Sequence, residues 1–299
     1  MIAERALLPE LREHIRRIER PTAPTHGVLP FGVAAIDRVL PSGGLARGAL
    51  HEILGASGDE EDGALAAAFA AGIVGRLARL PTSPSPSLTR RVPSLSPLKG
   101  GEGNEARLLS LSAPRGGEGW GEVGVVLWCL PRPDLYGSGL AAHGLDPGRL
   151  VLVRAPRDDE ILWAMEEGLR APGIAAVVGE IGVLPAVASR RLQLAAERSG
   201  IIALLLRRWR DGGQAARERA LPNAAVTRWR IAALPSQPPQ GEPGVGRPRW
   251  RIELLRCRGG EPACWEVEGA DATGHVSLAA TLADRPARPV SSERFRRAG

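Results

Sequence analysis

The residues that follow a short buried strand predicted at Ala49–Leu54 have the spacing of a phosphate-binding loop but carry the opposite charge. In a loop of the form G-x-x-x-x-G-K-[ST], glycines let backbone N–H groups face the phosphates, the lysine neutralises them and the hydroxyl group holds Mg²⁺. At the positions of the second glycine, the lysine and the hydroxyl, this chain has two glutamates and an aspartate. The degenerate nucleotide loop comprises Gly55, Gly58, Glu60, Glu61 and Asp62.

The charge of this loop predicts that ATP does not bind in the usual way. A carboxylate about 4 Å from a phosphate charge costs about 1 kcal/mol in water and about 4 kcal/mol at an effective dielectric of about 20. A structural interpretation is also open, in which Asp59–Asp62 forms the acidic N-terminal cap of an alanine-rich helix predicted at Ala66–Leu80. Each carboxylate would then gain about 0.3 to 1 kcal/mol from the helix dipole. The structural interpretation also agrees with a loss of ATP binding. The degenerate loop therefore predicts a chain that is not an enzyme and needs no cofactor.

The segments around the loop occur in an order that resembles RecA-type domains. The match includes two small helices within Gly32–Gly48, a core strand at Val125–Trp128, and a helix, loop and strand within Leu140–Val153. The resemblance implies an α/β fold, namely a RecA-like three-layer αβα architecture with a mainly parallel central sheet. Strand-like runs near the C-terminus add a small β extension.

Two further positions of a RecA-type ATPase site are also altered. The apolar run Ile174–Val178 is typical of a strand buried on both faces, but Gly179 and Glu180 follow where such an enzyme has its magnesium aspartate. The carboxylate is therefore absent or displaced by one residue, which turns it to the other face of the strand. Cys129 follows the earlier strand, in the region where RecA-type enzymes carry a catalytic glutamate. We therefore predict no catalytic residues and no metal site.

Together with later segments at 227–233, 249–260 and 277–280, this frame is similar to the ImuA family. These are RecA-related proteins of bacterial damage-induced mutagenesis cassettes. The resemblance spans roughly 27–80 and 123–282, and it implies an accessory or assembly factor for error-prone translesion DNA synthesis in the SOS response. The implied partners are an ImuB-like Y-family polymerase homologue and, indirectly, an error-prone replicative-type polymerase. The alternatives are an active RecA-type ATPase in recombination and an SOS-linked cell-division regulator.

Three short clusters combine arginine with tryptophan, the residue types that suit phosphate pairing and base stacking. The first follows the apolar strand Ile201–Leu206, so a RecA-like sheet would place it beside the ligand crevice. The other two lie on predicted strands, where alternation puts the arginines on one face and the tryptophan on the other. That pattern equally fits half-buried structural strands, so single-stranded DNA and a partner protein both remain candidate ligands. The candidate binding residues are Arg207, Arg208, Trp209, Arg210, Arg228, Arg230, Arg249 and Arg251.

The composition divides the chain into four predicted parts. An amphipathic helix within 1–25, at about Leu8–Arg20, has an apolar stripe and is expected to pack on its own domain or on a partner. The RecA-like core covers 26–222 and contains a Ser/Pro/Gly-rich insertion, 81–122, predicted to be disordered. We expect a polar mobile loop at Asp211–Arg219, where RecA-type proteins contact single-stranded DNA. The β extension covers 223–282, and 283–299 is predicted to be a flexible basic tail.

The composition of the chain limits the classes of protein to which it can belong. With 299 residues and 43% hydrophobic content, the chain can form a substantial core. It has no run of 18 apolar residues and no signal-peptide pattern, which predicts a soluble cytoplasmic protein without a membrane partner. The three cysteines have no metal or redox spacing, and we expect Cys129 to be a buried strand-end residue. The formal net charge is +6, with Lys99 as the sole lysine.

Overall fold

A computed structural model describes residues 24–57, 59–80, 108–109, 124–209, 212–238 and 243–279. Within these ranges the helices are α1 (Ala34–Asp37), α2 (Asp59–Arg79), α3 (Gly137–Ala142), α4 (Asp158–Gly168), α5 (Ala186–Ser199) and α6 (Gly212–Ala220), with single 3₁₀ turns at Pro41–Gly43 and Pro147–Arg149. The strands are β1 (Val28–Leu29), β2 (Leu45–Ala46), β3 (Leu50–Gly55), β4 (Leu108–Leu109), β5 (Val125–Leu130), β6 (Leu150–Arg154), β7 (Ile174–Ile181), β8 (Ile202–Arg207), β9 (Thr227–Gln237), β10 (Arg247–Cys257), β11 (Ala263–Glu268) and β12 (Ser277–Leu278).

Ten of the described strands form one mixed sheet in the order β12-β11-β10-β9-β3-β8-β7-β5-β6-β4. The six strands from β9 to β6 are parallel to one another. On the β9 side the sheet continues antiparallel through β10, β11 and β12, and at the other edge β4 is antiparallel to β6. The predicted α/β class with a large, mainly parallel sheet is therefore confirmed. The strands of the predicted β extension add to the same sheet as the core.

Helices cover both faces of the parallel strands, which explains why the central strands have few polar residues. Every residue of β3 and of β8 is buried. One hydrophobic cluster joins the sheet to α2, with Phe69, Trp128 and Trp229 among its members. The cluster on the other face joins the sheet to α4 and α5, with Met165 and Leu192 among its members. The fold is thus compatible with three layers, two of helices around one of strands.

Helix α2 packs unusually closely against two loops because several of its residues are small. A Cβ atom at Gly75 would overlap the carbonyl of Gly144, and one at Gly72 would lie 2.9 Å from the Cβ atom of Ala270. The helix begins seven residues before the predicted Ala66, so the acidic residues of the degenerate loop form its first turn. The predicted acidic cap is therefore confirmed.

One predicted loop is wrong. The segment expected as a polar mobile loop, Asp211–Arg219, is the helix α6 from Gly212 onward, while Asp211 lies outside the described residues. Glutamine, alanine, arginine and glutamate, which follow the two glycines, all have high helix propensity. In addition, Ala215 packs against Leu54 and Trp209 in a small hydrophobic cluster. Propensity and packing together outweigh the loop-forming glycines.

Several predicted segments lie outside the described residues. They are the N-terminal helix at Leu8–Arg20, the tail 283–299, and the insertion 81–122 apart from Leu108–Leu109. Across the described part of the chain, no helix is long and apolar enough to cross a membrane.

The buried histidine His51 joins β2, β3 and β9 through hydrogen bonds. Its Nε2 atom lies 2.9 Å from the carbonyl oxygen of Ala46, which can only accept, so Nε2 carries the proton. Its Nδ1 atom then accepts from the hydroxyl of Thr227 at 2.7 Å, and that hydroxyl accepts in turn from Trp229 Nε1. Burial lowers the pKa of His51 from 6.5 to about 4, although the hydrogen bond to Ala46 opposes the shift.

We predict that His51 makes the free energy of unfolding fall as the pH falls from about 6.5 to about 4. In that window the unfolded chain binds a proton at His51 that the folded chain does not, which costs up to roughly 3 kcal/mol of stability. Urea unfolding at several pH values measures the slope for the native chain and for His51→Gln. An equal slope in the two proteins would contradict the prediction, because glutamine does not titrate.

Candidate functional site

The loop between β3 and α2 is closed by a hydrogen bond to the side chain of Asp62. Asp62 is 4% exposed, and its Oδ2 atom accepts a hydrogen bond from the N–H of Ser57 at 2.7 Å. The N–H of Ala56 donates to the carbonyl of Ile231 on β9 at 2.9 Å. A Cβ atom at Gly55 would lie 2.7 Å from the Cβ atom of Asp62, so glycine allows this close approach. A phosphate that used the Ser57 N–H would have to displace a carboxylate that is already bonded there.

The other residues of the predicted loop lie close to Ser57 and Asp62 in the sequence. Glu60 and Glu61 are described as backbone of the first turn of α2, and Gly58 lies outside the described residues. Among the described residues, no cluster of three or more histidine, cysteine or acidic side chains could hold a metal ion.

Glu180, the displaced carboxylate at the end of β7, is buried and holds two strong donors. Its Oε1 atom accepts from Trp128 Nε1 at 2.8 Å, and its Oε2 atom accepts from Arg208 Nη1 at 2.8 Å. The second Nη atom of Arg208 donates to Asp134 at 2.8 Å. Glu180 lies on the sheet face that α2 covers, because its side chain follows the alternation of Ala176 and Val178. Both of its oxygens are therefore committed to neighbouring side chains.

Cys129 occupies the neighbouring strand end, as predicted. It is fully buried in β5, and burial raises the pKa of its thiol to about 12. A thiol with so high a pKa stays protonated near neutral pH and is a poor nucleophile.

Beside these strand ends, the carboxylate of Glu52 lies between two arginines. Glu52 is 1% exposed, and its Oε2 atom accepts from Arg228 Nε at 2.5 Å. Its Oε1 atom lies 3.5 Å from Arg207 Nε, while Arg207 Nη2 pairs with Glu218 of α6 at 2.6 Å. Asn223 donates a further hydrogen bond to Glu52 Oε2 at 2.9 Å. The network ties β3 to β8, β9 and α6.

The guanidinium groups of Arg207 and Arg219 both lie over the indole ring of Trp209, with their Cζ atoms 5.1 and 5.2 Å from the ring centroid. Its Nε1 atom donates to the carbonyl of Gly182 at 2.8 Å. Burial, and after it the like charges of Arg230 and Arg228, lowers the pKa of Arg219 below its ordinary value. Positive charge is therefore crowded next to the loop, where Arg219 Nη2 also lies 3.4 Å from the carbonyl of Gly55.

The arginines of the β extension pair with carboxylates across neighbouring strands. Arg230 on β9 donates to Glu253 on β10, with Nε at 2.8 Å. Arg249 and Arg251 on β10 lie 3.3 and 3.5 Å from oxygens of Glu266 on β11. The predicted alternation holds, because the tryptophans of the two strand clusters, Trp229 and Trp250, point into the core on the other face.

The predicted binding residues that the structure describes thus lie in two places. Arg207, Arg208, Trp209 and Arg228 belong to the strand-end networks, Arg230, Arg249 and Arg251 belong to the β extension, and Arg210 lies outside the described residues. Sequence reasoning missed the carboxylates that pair with them, chiefly Glu52, Glu253 and Glu266. Alternation of glutamate with apolar residues along these segments was the signal that could have revealed them. Binding of phosphate or single-stranded DNA by these arginines stays a prediction.

The amino-acid sequence is similar to Protein ImuA from two strains of Caulobacter vibrioides, NA1000 / CB15N and ATCC 19089 / CIP 103742 / CB 15. The identity to each is 36% over 263 residues, which covers 86% of this chain and 91% of the relative. This chain belongs to the ImuA family. No protein-family model matches the chain. The family assignment rests on similarity along most of the length and agrees with the resemblance drawn from the order of the sequence segments.

In this ImuA family member, we predict that Glu52→Gln lowers the free energy of unfolding by about 3 to 5 kcal/mol, because the buried Arg207 and the largely buried Arg228 lose their shared carboxylate. The matched control is Glu253→Gln, which breaks a partly exposed pair and should cost about 0 to 1 kcal/mol. Urea denaturation of the two variants measures both losses. A loss for Glu52→Gln as small as that for Glu253→Gln would show that the buried pair is dispensable.

Proposed function

We propose that this chain is a non-catalytic, RecA-like accessory factor in damage-induced, error-prone translesion DNA synthesis, and that it binds an ImuB-like Y-family polymerase homologue. The non-catalytic part rests on three positions of the expected nucleotide site, one at the start of α2 and two at strand ends, that hold residues buried within the protein. Asp62 accepts from its own loop, Glu180 is held by Trp128 and Arg208, and Cys129 is a buried, protonated thiol. The hydroxyl position of the loop and the two strand-end positions therefore carry residues with other roles.

The RecA-like part of the proposal is supported by how the parallel strands are arranged around the loop. Strand β3 lies centrally between β8 and β9, and its carboxyl end leads directly into α2. Ligand sites of open α/β sheets lie at the carboxyl ends of the strands. The degenerate loop therefore stands where a nucleotide site of this architecture would be expected.

The triple variant Glu60→Gly, Glu61→Lys, Asp62→Thr should have no ATPase activity above background. It restores the glycine, lysine and hydroxyl of the loop, yet the magnesium aspartate and the catalytic glutamate of RecA-type enzymes stay absent. A phosphate-release assay with ATP and Mg²⁺ measures this, and circular dichroism checks that the variant folds. Robust hydrolysis by the folded variant, or by the native chain, would refute the non-catalytic proposal.

We propose that the partner binds the face of the β extension that carries Arg230, Arg251, Glu253 and Glu266. These side chains are 19 to 48% exposed, so they form ion pairs and still reach solvent. Charges of both signs alternate across the strands. Such a pattern suits a protein surface with complementary charges better than a uniformly negative phosphate backbone.

Reversing one charge of this face should weaken the complex with the ImuB-like partner. We expect Arg251→Glu to reduce co-purification of the partner, because it places like charges beside Glu266 and inverts the local pattern. The control is Arg157→Glu, which changes a more exposed ion pair at the start of α4, away from this face. Deletion of the whole extension is unsuitable, because Trp229 and Ile231 are fully buried core residues. Equal recovery of the partner with both variants would exclude this face.

A further inference from the structure

A cleft of about 890 Å³ opens at the amino ends of β7 and β8. The degenerate loop lies at the opposite, carboxyl end of the parallel strands. The last turns of α2 and α5 and the turn after α4 form its walls. Its lining combines leucines with arginines, among them Leu77, Leu80, Leu194, Arg47, Arg191 and Arg198. We call it the amino-end cleft.

The lining of the amino-end cleft is suited to an apolar ligand with acidic groups. Leu80 and Leu194 are 41% and 40% exposed, which leaves apolar surface in contact with water. The guanidinium groups of Arg47 and Arg198 make no ion pair or hydrogen bond with any other side chain in the described ranges. Covering the leucines would stabilise the protein by roughly 25 cal/mol for each Å² of apolar surface removed from water.

The first described residues of the chain lie at the rim of this cleft. Thr25 and His26 line it, and the ring nitrogen Nε2 of His26 lies 2.7 Å from the carbonyl oxygen of Glu197 on α5. Glycines at 48 and 200 allow the His26 ring to approach, since a Cβ atom at either would lie within 2.7 Å of it. The chain that precedes residue 24 therefore departs from a fixed point on the wall of the cleft.

We propose that the N-terminal segment of the same chain, residues 1–23, docks in the amino-end cleft as an amphipathic helix. Its sequence has an apolar stripe of Leu8, Leu11, Ile15 and Ile18, and Glu19 follows Ile15 by one helical turn on the same side. The stripe covers the exposed leucines of the cleft, and the glutamate pairs with an arginine that has no carboxylate partner.

The length of the N-terminal segment and its short covalent linker favour docking within one molecule. A helix at Leu8–Arg20 is about 20 Å long at 1.5 Å per residue, and the three residues that follow it reach about 10 Å. So short a linker gives the segment an effective concentration on the order of millimolar, which exceeds that of a second molecule at micromolar protein. The amino-end cleft is thus filled by its own chain before a second copy or another protein competes for it.

Paired cysteines test this proposal in the full-length protein, with Cys264→Ser as background because Cys264 is the exposed native cysteine. In the variant Ile15→Cys, Leu194→Cys, mild oxidation should join the two introduced thiols in an intramolecular disulfide. Both thiols should then be lost while the protein still runs as a monomer on a non-reducing gel. The matched control is Arg17→Cys, Leu194→Cys, whose N-terminal cysteine lies on the opposite side of the predicted helix and should keep its thiols.

The other results would overturn the proposal. Equal oxidation of the two cysteine pairs would show that the segment does not dock with its apolar side, and a disulfide-linked dimer would assign the cleft to a second copy. A second measurement is independent of the disulfide geometry. Removal of residues 1–23 should speed amide hydrogen exchange at the carboxyl-terminal half of α5, and unchanged exchange there would also refute docking in cis.

Discussion

One buried carboxylate joins three adjacent parallel strands at the centre of the sheet. Glu52 on β3 bonds to Arg228 on β9, and it lies beside Arg207 on β8. Isolated charges cannot be buried without a partner, because the loss of hydration costs several kcal/mol for each ion. The three strands are therefore held in one relative position. The loop after β3, the helix α6 and the first strand of the β extension are all placed by this arrangement.

Ion pairs of this kind also balance charges at the carboxyl ends of the parallel strands. In an ATPase, phosphate and magnesium supply the charges that balance the residues at the carboxyl ends of the strands. Here, the side chains balance one another. Arg208 neutralises Glu180, and the N–H of Ser57 is satisfied by Asp62. We propose that these internal carboxylates take the place of the phosphate anion in an electrostatic sense.

The sequence predicted the parts of this fold that depend on local patterns. Apolar runs marked the buried strands, as at Ile174–Val178, and alternation placed Trp229 on the face opposite to Arg228 and Arg230. It did not predict α6, since two glycines before a polar run suggested a loop, and packing of Ala215 decided otherwise. Nor did it predict which carboxylate pairs with which arginine, because Glu52 and Arg228 are 176 residues apart and meet only through the strand order. Long-range pairing of this kind is set by topology, which no local pattern encodes.

The central position of β3 also has a consequence for synthesis of the chain on the ribosome. His51 of β3 pairs with Thr227 of β9, which is made 176 residues later. At typical translation rates of 5 to 20 residues per second, β3 waits about 10 to 35 s for that neighbour. Every residue of β3 is buried in the finished protein. During that interval the edge of β3 that β9 later covers stays unpaired in the nascent chain, and an unpaired strand edge can associate with other chains.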